Sequence, residues 1–168
     1  MKVMKLPIKQ IDNKKTGTVG EELKNILDRK TKLSIITSYF TINAFQELKT
    51  ELKKVDQVRL ILTDRRFLHS NGDVNVPKIN GNIFERKYRN RLDQAAVARE
   101  CAQWLKEKGE VKALKQNNPS HHKLINVENG DSQHVINGTV DFSADGLGFV
   151  YSNRSDMNIL FDEKANTE

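Results

Sequence analysis

The sequence predicts an α/β domain in which helices flank a mixed β-sheet. Two short runs rich in β-branched and apolar residues, 33–40 and 58–62, have the composition of buried strands. A segment with helical periodicity separates them, and strand, helix, strand at this spacing forms a parallel pair with a right-handed crossover. Further along, an Asn129-Gly130 turn predicts an antiparallel hairpin. Parallel and antiparallel pairs together make the sheet mixed.

Three helices are predicted from caps and apolar periodicity. Thr18 and Glu21 form a capping box, followed by an apolar face made of Val19, Leu23, Ile26 and Leu27. Asn43 is the predicted N-cap of the second helix, whose apolar stripe is Phe45, Leu48, Leu52 and Val55. The third helix is predicted over 92–108, with Gly109 as the residue that terminates it. Its periodic residues are Ala95, Ala98, Cys101, Ala102 and Leu105.

The remaining strands are short and lie mostly in the second half of the chain. We expect them near 111–114, 123–128, 134–138 and 157–161. The stretch 65–91 has several Gly, Asn and Pro turn signals and few apolar residues, so we expect a long excursion at the domain edge.

Size and composition favour one domain with a polyanionic partner. The 168 residues suit a single domain, 1–168, and the polar end at 163–168 suggests that it belongs to a longer parent protein. The 28 Lys and Arg residues outnumber the 22 Asp and Glu residues, a mild excess that favours nucleic acid or anionic lipid. A single cysteine, the lack of a secretory signal and the lack of a long apolar run predict a soluble, cytoplasmic protein without a membrane partner.

Reactive residue types concentrate in 120–128 and 137–147. Side chains two apart on a strand share a face, so His121 and Lys123 are predicted to point together, while His122 points the other way and packs. A histidine nitrogen can attack a phosphodiester and form a phospho-enzyme, and a lysine can stabilise the charge that develops on the oxygens. The hairpin returns Gly138 and Thr139 to the same end of the sheet, where they can complete an anion pocket.

The order of these motifs resembles the phospholipase D superfamily. His-x-Lys at 121–123, an apolar strand, a Gly-Thr-x-Asp turn at 138–141 and Phe-Ser-x-x-Gly-Leu at 142–147 follow the superfamily's order. The chain looks most like the bacterial nuclease-like branch, whose members often lie at the N-terminus of helicase-like proteins. The junction 39–45 and the first two strands also resemble such domains. The resemblance implies a phospholipase D-like half and is motif-grade between His121 and Asn158.

Several residue roles follow from the resemblance. It implies His121 as the nucleophile and Lys123 as the phosphate-binding cation, with Gly138 and Thr139 in the Gly-Ser positions that contact substrate. The segment Asp156-x-Asn158 lies where relatives carry an acidic residue that orients the histidine. Asp156 is the candidate for that role, and Asn158 is assigned to substrate binding.

Two positions depart from the resembled pattern. Asp141 stands where the family has asparagine, and Glu128 where the longer motif has aspartate. A carboxylate about 4 Å from a phosphate costs on the order of 4 kcal/mol at an effective dielectric near 20. An ion pair between Asp141 and Lys123 would relieve this repulsion at the expense of the lysine's contact with phosphate.

A basic segment and the histidines offer further sites. Residues 85–91 suggest a phosphate-backbone patch in which Arg86 and Arg89 bind substrate, and the alternative is a solvated loop and helix start. The histidines at 121, 122 and 134 would suffice in number for zinc, but neighbouring strand residues diverge. Because the resembled family needs no metal, no cofactor is expected.

The resembled chemistry uses two histidines, and this chain has one His-x-Lys motif. We therefore expect a homodimer with His121 of each subunit facing the other, or a second motif in a longer parent chain. One functional hypothesis is a metal-independent phosphodiesterase that acts on DNA. The other is a catalytically degenerate nucleic-acid-binding module attached to a helicase motor. Transfer of lipid headgroups is disfavoured, because no basic amphipathic helix is present.

Overall fold

The computed structural model describes residues 8–64, 91–114 and 121–164. Within these ranges the chain forms a seven-stranded sheet with helices packed on it. The strands are β1 Ile8–Ile11, β2 Lys32–Thr37, β3 Gln57–Leu62, β4 Gly109–Ala113, β5 Lys123–Asn129, β6 Ser132–Gly138 and β7 Asn158–Lys164. The helices are α1 Val19–Ile26, α2 Ile42–Glu47, α3 Lys49–Leu52 and α4 Arg91–Lys108. No helix in the described ranges is long and apolar enough to cross a membrane.

The sheet is mixed, which confirms the predicted fold class. Its strand order is β1-β7-β6-β5-β2-β3-β4. The neighbours β2, β3 and β4 run parallel, and every other pair is antiparallel. The predicted hairpin is β5–β6, and Gly130 has the positive φ of 57° that its turn requires.

The strand register brings many strand ends to one edge of the sheet. Lys123, the first residue of β5, faces Gly138, the last residue of β6. Gly138 in turn faces Asn158, the first residue of β7. The parallel strands β2 and β3 also end here, with Thr37 beside Leu62. We call this the site edge, because it gathers the predicted functional residues of β5, β6 and β7.

The hydrophobic core lies between one face of the sheet and the helices. Alternate residues of β2, β3 and β5 point into it, as the period of two requires, and these are Leu33, Ile35, Val58, Leu60, Leu62, Ile125 and Val127. The predicted stripe on the second helical segment is fully buried and consists of Phe45, Leu48, Leu52 and Val55. Trp104 of α4 packs against Phe45 with ring centroids 5.3 Å apart and donates a hydrogen bond of 2.9 Å to the Leu52 carbonyl.

The helix boundaries differ from the prediction at the second helix. Thr41, not Asn43, is the N-cap, and its hydroxyl accepts the Ala44 N–H at 3.3 Å. Asn43 is buried in the first turn instead. Because the Thr41 hydroxyl satisfies a free N–H of the first turn, the helix begins at Ile42, two residues earlier than a cap at Asn43 would allow. The segment also divides at Leu48 into α2 and α3, whereas the predicted capping box at Thr18 is confirmed.

The buried face of α4 also differs in part. Val97, Cys101 and Trp104 are buried, whereas Ala95 and Ala102 are exposed. Larger apolar side chains remove more area from water than a methyl group, so they determine which face of the helix packs.

The end of β2 and the presence of β1 differ from the prediction. Strand β2 ends at Thr37, earlier than the predicted Phe40, which instead forms an isolated bridge to Phe142 with the two rings stacked 5.1 Å apart. Strand β1 was not predicted, and it completes the sheet beside β7.

Candidate functional site

Lys123 is a buried charged residue at the site edge. Its side chain extends from the first position of β5, and the residue is 8% exposed. A buried ammonium is tolerated when opposite charge and hydrogen bonds replace water. Here Nζ lies 3.1 Å from Asp141 Oδ1 and donates a hydrogen bond to Ser38 Oγ. The ammonium is therefore fixed between the segment that follows β2 and the segment that follows β6.

The carboxylate of Asp141 joins the same two segments. Besides Lys123, its Oδ1 is 2.9 Å from the Thr37 hydroxyl and accepts the Ser38 N–H at 2.7 Å. The Thr37 hydroxyl oxygen accepts the Phe142 N–H at 2.9 Å, which extends the connection along the chain. The predicted ion pair between Asp141 and Lys123 is thus present, and it neutralises the buried lysine.

Next to this pair, β6 ends at Gly138, and the chain bends at Thr139 close against the start of β7. Asn158 is fully buried, and its amide oxygen accepts the Thr139 N–H at 3.2 Å while its Nδ2 donates to the Ile11 carbonyl at 3.3 Å. A Cβ at Gly138 would overlap the Asn158 amide oxygen and lie 2.6 Å from the Met157 carbonyl. Glycine is therefore required here by close approach, and Asn158 holds the turn from within.

The histidines precede β5. His121 and His122 are both exposed, and the strand begins only at Lys123. The alternation expected of a strand therefore does not extend to His121, and His122 is exposed and not part of the buried core. His121 is therefore an exposed residue two positions before Lys123 in the chain.

Asp156 lies at the β1 end of the site edge. Its Oδ2 accepts a hydrogen bond from Asn13 Nδ2 at 3.1 Å, and the same amide nitrogen lies 2.8 Å from the Gly146 carbonyl. Asn13 also accepts the Val19 N–H at 3.0 Å and thereby ties this corner to the start of α1. The predicted role of Asp156 in orienting a histidine stays a prediction.

A second charged cluster adjoins the first. Arg154 Nη2 lies 3.1 Å from Asp145 Oδ2, and Asp145 is only 3% exposed. The hydroxyl of Ser143 donates to the other oxygen of that carboxylate at 2.6 Å. Arg154 also hydrogen-bonds Tyr39, the neighbour of Ser38. Burial, together with the charges of Asp141 and Asp145, raises the pKa of the Tyr39 hydroxyl.

Sequence reasoning missed Ser38, Tyr39, Asp145 and Arg154 as members of the site. Ser38 and Tyr39 carried a usable signal, because polar side chains directly after a buried parallel strand often lie at a binding edge. Asp145 and Arg154 carried none, since their pairing depends on the path of an irregular segment. Arg86 and Arg89, predicted to bind substrate, lie outside the described residues.

The zinc alternative has no support in the described part of the chain. Across 8–64, 91–114 and 121–164, no group of three or more His, Cys, Asp or Glu side chains is placed to hold a metal ion. His134 faces Asp162 across β6 and β7 at 3.2 Å, four residues along β6 from Gly138.

Comparison with known proteins gives structural similarity only. No protein-family model and no curated protein matches the sequence. Among solved structures, the chain is similar to yeast tyrosyl-DNA phosphodiesterase, with 13% identity and a TM-score of 0.42 over 91% of this chain and 31% of that chain. A histidine-to-arginine variant of yeast tyrosyl-DNA phosphodiesterase 1 gives 11% identity and a TM-score of 0.45 over 91% and 30%. The chain spans about a third of the length of these structures.

Proposed function

We propose that this chain is a phospholipase D-like phosphodiesterase domain that acts on DNA through a half-site of His121 and Lys123. The observation that carries the proposal is the buried ammonium of Lys123 at the site edge, two residues after exposed His121 on a strand position paired with Gly138. Burying a lysine costs free energy, so a buried lysine at the site edge, two residues after a histidine in the chain, favours a functional role. The sequence resemblance supplies the chemistry.

In the proposed reaction, a nitrogen of the His121 imidazole attacks phosphorus and forms a P–N bond as the P–O bond to the leaving group breaks. The leaving oxygen takes a proton from a second histidine. Water then attacks the phosphohistidine, gives its proton to the second histidine, and releases His121. Lys123 stabilises the charge on the phosphoryl oxygens. No step requires a metal ion.

The second histidine is proposed to come from another copy of the chain. In a two-fold homodimer the two His121 side chains would face each other. One would attack phosphorus, and the other would donate the proton to the leaving oxygen. A second motif in a longer parent chain would serve equally.

One observation favours a second candidate, a DNA-binding module that has lost turnover and serves a helicase motor in the same parent protein. Asp141 occupies Lys123 in an ion pair of 3.1 Å, with both side chains about nine-tenths buried. A phosphate must compete with this carboxylate for the ammonium. Binding by other cations of the domain would then persist without chemistry.

Cleavage of labelled DNA in EDTA separates the two candidates. The full chain is compared with His121→Ala and with His122→Ala, a matched control because both histidines are exposed and adjacent. We expect metal-independent cleavage that falls by on the order of 10³-fold in His121→Ala and is retained in His122→Ala. Equal activity in the two variants would contradict the nucleophile. No cleavage by the wild type, with salt-sensitive binding unchanged in His121→Ala, would favour the binding module.

Subunit mixing tests the composite site. Wild type and His121→Ala are mixed in varied ratios under exchange conditions, and activity is measured per total protein. If each reaction needs both copies of His121, activity falls with the square of the wild-type fraction. A linear fall would show that one copy suffices.

A further inference from the structure

The segment 151–157 borders the site edge without regular secondary structure. Near its middle, Arg154 contacts Asp145 at 3.1 Å and hydrogen-bonds Tyr39. At its end, the Met157 N–H donates to the Thr139 hydroxyl at 3.3 Å. Both anchors belong to chain segments that hold or adjoin Lys123. The position of this segment beside the proposed phosphate site is therefore fixed by contacts at two points.

Tyr151 presents a largely exposed aromatic ring at the start of this segment. It is 77% exposed, the highest value among the exposed large apolar side chains of the described residues, whereas Phe142, nearby in sequence, is 1% exposed. Three residues span at most roughly 10 Å, so the Tyr151 backbone lies within that distance of Arg154. An exposed ring at such a place offers a face for stacking.

Arg154 combines exposure with a fixed orientation. Its side chain is 42% exposed, although the guanidinium is held by Asp145 and Tyr39. A guanidinium carries five N–H donors in a planar fork, so these two contacts leave capacity for an oxyanion. Holding the group in place before binding reduces the entropy lost when a phosphate arrives.

We propose that segment 151–157 binds an unpaired nucleotide flanking the scissile phosphate, with Tyr151 stacked on the base and Arg154 on the adjacent phosphate. The inference rests on the proposed function and narrows its substrate to single-stranded DNA or to a DNA end that is frayed. A base within a duplex has both faces covered by its neighbours, so it offers no free face to Tyr151. Stacking on an aromatic ring tolerates any base.

The test measures the affinity of a fluorescent single-stranded oligonucleotide and of its duplex by anisotropy, in EDTA and at low salt. The variants are Tyr151→Ala, Tyr151→Phe, which keeps the ring, and Phe161→Ala. Phe161 is a matched control, because it is an exposed aromatic (41%) on β7, three residues beyond Asn158. Sedimentation of each variant records its oligomeric state.

We expect Tyr151→Ala to weaken single-strand binding roughly five- to 150-fold, the range given by losing one stacked base. Tyr151→Phe and Phe161→Ala should stay close to wild type, and duplex affinity should change little. Equal effects of Tyr151→Ala and Phe161→Ala, equal losses for duplex and single strand, or no binding of single strands by the wild type would overturn the inference. A changed oligomeric state in Tyr151→Ala would place the ring in a subunit interface and also overturn it.

These outcomes are distinct from those of the cleavage assay. Binding is measured without turnover, so a wild type that binds single strands through Tyr151 and never cleaves them would retain the inference and refute the phosphodiesterase. A wild type that cleaves DNA with Tyr151→Ala unchanged in affinity would do the reverse.

Discussion

Replacing Asp141 by asparagine should make the domain less stable and its phosphate site more attractive to DNA. The substitution removes one negative charge and keeps one oxygen acceptor. Asp141 Oδ1 now lies 3.1 Å from Lys123 Nζ, 2.7 Å from the Ser38 N–H and 2.9 Å from the Thr37 hydroxyl. Hydrogen bonds to a charged group are about twice as strong as neutral ones. Weakening them should lower the free energy of unfolding by about 1–3 kcal/mol.

The effect on binding has the opposite sign. A phosphate bound by Lys123 would lie about 4–6 Å from the Asp141 carboxylate, where Coulomb's law at an effective dielectric near 20 gives a repulsion of about 3–4 kcal/mol. Solvent and salt reduce this figure, since the Asp141 side chain is 13% exposed. We therefore expect Asp141→Asn to bind DNA at least about tenfold more tightly at low salt.

Urea denaturation and oligonucleotide anisotropy measure the two effects on the same protein. Asp162→Asn is the control, because it makes the same change of net charge on β7, four residues, or roughly 13 Å, from Asn158. If Asp141→Asn binds DNA no more tightly than Asp162→Asn, the carboxylate does not oppose phosphate and the reasoning is refuted.

Three further predictions concern stability and reactivity. Backbone hydrogen bonds from the residues that follow hold the pKa of Asp12 well below its ordinary value. Asp12→Asn should therefore be less stable than wild type at pH 7. Urea titrations should show this difference in the free energy of unfolding shrinking as the pH falls below about 4, because the stabilisation is lost as the native carboxylate becomes protonated. Burial raises the pKa of the Cys101 thiol to about 12, so a thiol reagent at pH 8 should react quickly only in denaturant, and similar rates in native protein would contradict the burial. Gly138→Ala should cost about 3 kcal/mol through overlap with Asn158, whereas thermal unfolding of Gly130→Ala, whose Cβ meets nothing within 4 Å, should show only about 1 kcal/mol of backbone strain.

Elements with strong local signals were predictable from the sequence. The capping box at Thr18, the parallel pair β2–β3 and the β5–β6 hairpin are each specified by residues close together in the chain. Strand β1 was not predictable in this way. It has four residues, of which only Ile11 is buried, and it owes its existence to pairing with β7, far along the chain. Long-range pairing leaves little trace in a local pattern.

The positions of the candidate residues in the sheet were predictable from the sequence, and their contacts only in part. The predicted hairpin pairs Lys123 with Gly138. The ion pair between Lys123 and Asp141 was also anticipated, from the opposite charges of the two residues. Ser38 was not anticipated as a partner of Lys123, because 85 residues separate the two in sequence. The predicted start of β5 at Lys123 is confirmed, but His121 and His122 precede the strand and do not continue its alternation.

The two buried carboxylates at the site edge determine how an anion can bind there. Lys123 is paired with Asp141 and Arg154 with Asp145, so the described cations of the site are already balanced. A phosphate that binds Lys123 must compete with Asp141 or be accompanied by additional positive charge, whereas Arg154 keeps N–H donors beyond its contacts with Asp145 and Tyr39. Asp145 is the more deeply buried of the two, at 3% side-chain exposure against 13% for Asp141. The free-energy cost of leaving a carboxylate without its cation rises with burial, so it is larger for Asp145. We therefore expect Asp141 to yield to a bound phosphate, and positive charge supplied by a second subunit would favour the exchange.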